Sequence, residues 1–140
     1  MRKFELIEHT ADIGVRVYAK DLKELFKNSA EALVFFLVNQ KKEGRKEKTI
    51  KLEAESLEEL LVSWLNELIS LFFAEKFLFC SCSLEVKENR SLKILEAKIK
   101  GIDFDPYSNK INMEIKAATY HNLKIKKKED KLEVDIIFDI

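Results

Sequence analysis

Three side chains stand out for the chemistry they could do together. Asp12 sits just before an alternating stretch in which Ile13, Val15 and Val17 take one parity and Gly14, Arg16 and Tyr18 the other, and it shares the polar parity. Asp139 lies on the polar parity of the closing stretch, between Phe138 and Ile140, and Lys116 on that of a strand expected over residues 111–117. If those strands are neighbours, two carboxylates and one ammonium converge on the face turned away from the core. Two carboxylates beside the terminal carboxylate of Ile140 are hard oxygen donors, suited to Ca²⁺ or Mg²⁺ and poorly suited to soft metals. The same pair could instead serve acid/base catalysis, its pKa values split by like charge. Pattern alone puts plain surface pairing with lysines first, because such pairs are common and individually weak.

Other polar positions are less specific. His9 and His121 are far apart in sequence; each could be a ligand, a base or a structural histidine, with hydroxyls beside them at Thr10 and Tyr120. The spacing of Cys80 and Cys82 puts both thiols on one face of a strand without bringing the sulfurs into bonding position, so both are expected as reduced core thiols. There is no glycine-rich phosphate loop, HExxH or G-x-S-x-G pattern. Phe72, Phe73, Phe77 and Phe79 read first as core and second as a partner-binding patch.

These residues need elements to hold them. Leu22, Leu25, Phe26, Leu33, Phe36 and Leu37 follow helical spacing, with Asp21 as N-cap and Glu24 three residues on. A second stripe runs from Leu57 through Trp64 to Ile69 behind Ser56 as N-cap and Glu59. Most of the remainder alternates with period two: Ile50 to Ala54, Leu78 to Val86, Leu95 to Ile99, Ile111 to Ala117, Leu123 and Ile125, and Leu132 to Phe138. The adjacent Ile94 and Leu95 break phase, which predicts a bulge or bend there. Residues 41–48 read as a loop, and the charged residues 126–131 as a hairpin tip. Two strands, helix, strand, helix and about five strands make an α+β fold, with mostly antiparallel sheet packed on two helices.

Composition sets the frame. Residues 1–140 read as one domain, large enough to bury a core. Lys plus Arg and Asp plus Glu both number 25, so net charge is zero; a dedicated nucleic-acid binder should be basic overall. The Lys126–Lys128 run remains the one place where RNA could touch. No signal-peptide pattern opens the chain and its longest apolar run, residues 32–38, is far too short to span a bilayer, so a cytoplasmic setting is expected.

Four segments, in order along nearly the whole chain, resemble the archease family: Glu8-His9-Thr10-Ala11-Asp12-Ile13-Gly14, the helix from Ser56 to Leu68, Lys116-Ala117-Ala118-Thr119-Tyr120-His121, and Ile137-Phe138-Asp139-Ile140. Where archeases carry Gly-Glu and then Arg-His, this chain reads Gly101-Ile102-Asp103-Phe104-Asp105-Pro106-Tyr107-Ser108 and lacks that His. The resemblance implies an accessory protein, not an enzyme. Its partner would be the tRNA-splicing ligase, which joins a 2′,3′-cyclic phosphate or 3′-phosphate RNA end to a 5′-hydroxyl end; its effects would be faster ligase guanylylation, multiple turnover and broader nucleotide use. tRNA would be reached only through the ligase. The resemblance further implies a divalent cation, Ca²⁺ first and Mg²⁺ second, held by Asp12, Asp139 and Ile140, an activating role for Lys116, and a broader chaperone or modulator role toward RNA- and DNA-processing proteins. His9 and His121 are candidate supporting residues. The alternative is a small metal-dependent hydrolase or nuclease using Asp12 and Asp139. A third reading is a chaperone-like module exposing the phenylalanines of residues 72–79 or Phe35-Phe36.

Overall fold

The computed structural model describes residues 2–7, 12–40, 42–107 and 109–140. The elements run β1 (Phe4–Ile7), β2 (Ile13–Ala19), α1 (Leu22–Val38), β3 (Lys46–Ala54), α2 (Leu57–Glu75), β4 (Phe77–Glu88), β5 (Lys93–Asp103), β6 (Ala117–Ala118), β7 (Lys126–Lys128) and β8 (Lys131–Asp139). They form two antiparallel sheets: β1-β2-β8-β6 with β7 also on β8, and β3-β5-β4. This is the expected α+β architecture.

The helices begin where side chains can satisfy their first amides. The Glu24 amide donates to Asp21 Oδ1 at 2.9 Å, and the Glu59 amide to Ser56 Oγ at 3.1 Å. Both helices end on a left-handed residue, Asn39 and Lys76. Each packs against strands of both sheets and so joins them. Trp64 is fully buried at that junction; its indole N–H donates to Phe26 O at 3.0 Å and its ring meets Phe79 edge-on at 6.1 Å. Phe36 carries α1 onto β8 through Phe138, 5.8 Å away.

Several sequence-based expectations change. The strand expected over residues 111–117 shrinks to Ala117–Ala118. The preceding residues instead finish α1: with Asn39 N spent on Phe35 O, the Phe36 and Leu37 carbonyls receive Asn112 Nδ2 at 3.0 Å and Asn112 N at 2.7 Å. The apolar alternation survives, since Ile115 is buried and Ile111 and Met113 pack on the core, but without a ladder. No bulge marks Ile94 and Leu95, whose pairing with β3 is continuous. The irregularity lies in β4, where the register jumps from Phe79↔Gly101 to Ser81↔Lys100 and leaves Cys80 unpaired. Both thiols are free but only partly buried, Cys82 packing against the core. The charged run at Lys126–Lys128 is strand, and the tip contracts to Glu129 and Asp130.

Candidate functional site

The candidate residues depend on β8. Strand β2 pairs with it on one side, from Ile13↔Phe138 to Ala19↔Leu132, so one further step sets Asp12 across from Asp139. Directly opposed residues in an antiparallel pair share a face. Val15, Val17, Val134 and Ile136 take the core face and are buried. Asp12 and Asp139 take the outer one, next to Gly14, which is flanked by Ile7 and Ile137. Asp12 is half-buried and Asp139 exposed.

On the other side of β8 lies β6. The Lys116 amide donates to Asp139 O at 2.8 Å, and Thr119 N and Oγ1 donate to Ile137 O at 3.0 and 3.1 Å. Lys116 is thus held beside Asp139 by its backbone. The ladder itself starts one residue later, with Ala117 opposite Asp139. Lys116 and Ala117 border a groove of about 550 Å³ against α2, whose other walls include Asn66, Ile69, Phe73 and Glu114. The two aspartates and the lysine therefore lie at one sheet end.

Asn66 makes this arrangement rigid. Its Oδ1 accepts from Ala118 N at 2.8 Å and its Nδ2 donates to Ala118 O at 3.3 Å, so an α2 side chain pairs with the free edge of β6. Sequence reasoning passed over Asn66. The available signal was an amide within an apolar helix stripe, where Asn is unfavourable unless its hydrogen bonds are used.

Farther along the outer face, Arg16 stands opposite Asp135 and binds both carboxylate oxygens, at 2.7 and 3.0 Å. That fork holds the Asp135 carboxyl below the ordinary range. Glu5 is also held low, first by the hydroxyl of Tyr18, which donates to it at 2.5 Å.

Ile140 is exposed beyond the last ladder pair. His121 is exposed farther along the β6 edge, its amide donating to Thr119 Oγ1 at 3.3 Å. His9 lies outside the described residues. Among the described residues no group of three or more His, Cys, Asp or Glu side chains could hold a metal ion. Asp12, Asp139 and a main-chain oxygen of Ile140 would offer oxygen donors alone, the kind a hard cation takes. The phenylalanine stretch is mainly core, since Phe72, Phe77 and Phe79 are buried. Phe36 is buried as well, and Phe35 is the exposed member of its pair, beside a cavity of about 240 Å³ bordered by Phe4, Val34 and Cys80.

Residues 4–140 match the model of the Archease protein family. The chain belongs to the archease family. Protein archease of Pyrococcus furiosus is 40% identical over 131 residues, covering 93% of this chain and 92% of that protein. Its counterpart in Sulfurisphaera tokodaii is 36% identical over 141 residues, covering 100% of both. The solution structure of protein 1598 of Methanobacterium thermoautotrophicum matches with a TM-score of 0.85 at 26% identity, over 100% of both chains. The crystal structure of a Thermotoga maritima archease, titled a possible chaperone, matches with a TM-score of 0.62 at 24% identity, over 100% of this chain and 98% of that one, and supports the fold alone. No described helix is long and apolar enough to cross a membrane.

Proposed function

We propose that this archease is a non-enzymatic accessory protein of the tRNA-splicing ligase, promoting its guanylylation and multiple turnover in the cytoplasm. Family membership over nearly the whole chain supports an accessory role. The observation that carries the finer reading is the meeting of Asp12 and Asp139 across β2 and β8. These aspartates and a main-chain oxygen of Ile140 would hold a divalent cation, Ca²⁺ or Mg²⁺. When bound, such a cation supplies positive charge to phosphate oxygens. Lys116 would present its ammonium to the ligase from the same sheet end, and Asn66 holds the neighbouring Ala118 backbone in place. A chaperone-like role draws on Phe35, which is 42% exposed beside its cavity.

The test is ligase guanylylation and sealing of a cleaved tRNA with GTP. Wild type is compared with Asp12→Ala, Asp139→Ala and Lys116→Ala, alongside calorimetric Ca²⁺ titration. Each variant should fall toward the rate of ligase alone, and the aspartate variants should also lose Ca²⁺ binding. Undiminished turnover with the aspartate variants would sink the reading. RNA cleavage or nucleotide hydrolysis without ligase would favour the hydrolase alternative.

A further inference from the structure

The β7–β8 hairpin gathers positive charge that the whole-chain balance conceals. Residues 124–131 hold five lysines against two carboxylates, and since the net charge is zero the remaining residues carry an equal deficit. Lys126, Lys127 and Lys128 are all exposed. The nearby acidic groups on β8 are already engaged. Arg16 forks onto Asp135, Lys128 lies 3.2 Å from Glu133, and Lys131 is 4.7 Å above the Tyr18 ring. Among the described residues Lys124, Lys126 and Lys127 make no ion pair.

Register arranges these charges along an edge. Lys126 and Lys128 share one face, two residues and thus ~6.6 Å apart, comparable to the step between successive phosphates of an extended strand. Lys127 takes the other face. The chain between β6 and β7 lies along the same side of β8 and bears Tyr120, 58% exposed, and the exposed His121. The strip ends at Lys116 and Asp139. From Lys131 to Asp139 it spans about 26 Å at ~3.3 Å per residue.

We propose that this edge binds the phosphodiester backbone of a single-stranded nucleic acid, with Lys124 and Lys126 on phosphates and Tyr120 under one base. An acidic protein surface would also meet the lysines, but it would not use a presented aromatic face, which stacks on any base. The cleft beside Lys124 and Lys126 holds only about 20 Å³, too little for a base, so the contact is to backbone and not sequence-selective. The proposal is independent of the cation site and of the ligase.

Fluorescence anisotropy of labelled oligoribonucleotide and oligodeoxyribonucleotide of about 12 nucleotides, titrated with the full chain, tests it. Wild type should bind at about 50 mM salt and weaken steeply by about 200 mM. Lys124→Gln with Lys126→Gln should weaken binding about tenfold and reduce the salt slope by about 1.4. Tyr120→Ala should cost about fivefold or more with the slope unchanged. All three positions are exposed, and circular dichroism verifies each fold. Equal binding of both oligomers supports a backbone contact, and tighter binding of the ribo-oligomer adds recognition of the 2′-hydroxyl. No binding up to about 100 µM at low salt overturns the proposal, as does wild-type affinity in the lysine variant. Competition by polyglutamate at equal charge, with no effect of Tyr120→Ala, also overturns it and assigns the edge to an acidic protein.

Discussion

Lys116 donates its amide proton to the carbonyl of Asp139 at 2.8 Å, although the ladder pairs Asp139 with Ala117. Backbone pairing thus brings an ammonium and a carboxylate to one sheet end without joining them in an ion pair. Asp139 lies on the outer face beside Asp12, and Lys116 borders the groove against α2.

That geometry rests on Asn66. Asn66→Ala removes both bonds to Ala118 and should destabilise the protein by about 1–3 kcal/mol. Hydrogen exchange gives the sharper reading: the Ala118 amide should lose protection far more than amides of β5. Unchanged protection at Ala118 would mean that β6 is held without the clasp.

All three glycines mark close approach, and two of them differ in what they approach. A Cβ at Gly101, opposite the β4 irregularity, would lie 2.2 Å from the Leu78 carbonyl oxygen; one at Gly14 would lie 2.6 Å from Ile7 Cγ1. Backbone yields less readily than a side chain. Gly101→Ala should therefore cost more than Gly14→Ala, at or above the ~1–3 kcal/mol of ordinary overpacking. Urea midpoints of the two variants decide the order, and the reverse order would contradict it.

The Arg16–Asp135 fork predicts a pH dependence. Asp135 has a folded-state pKa below its unfolded value, so its stabilisation is fully present above the unfolded value of about 3.9 and lost as pH falls through the folded one. Because the pair is partly solvated, the contribution is at most about 1 kcal/mol. Asp135→Asn should lower stability at pH 6 and flatten its decline in acid, measured by urea unfolding across the acid range. A decline as steep as wild type would show that other carboxylates carry it.

The thiols should differ in reactivity. Burial raises both pKa values, that of Cys82 to about 11, while Cys80 also feels Lys42 and borders the cavity near Phe35. Cys80 should react first with a disulfide reagent near pH 8, since the thiolate is the nucleophile. Cys80→Ser should abolish the faster phase; its survival would reverse the assignment.

Sequence alone determined what depends on neighbours within a few residues. Asp21 and Ser56 cap the helices because a cap needs only the amide three residues on, and alternation assigned the buried faces of β2 and β8 because a strand's side chains alternate by geometry. It also marked Asp12, Lys116 and Asp139 as polar positions worth joining. Tertiary structure decided what depends on distant partners. Asn112 turned residues 111–116 from strand into a cap for α1 because the open carbonyls lie some 75 residues earlier. The β4 irregularity exists only relative to Gly101. Lys116 came to lie beside Asp139 because the neighbour of a strand end is set by register, and no local pattern encodes that register.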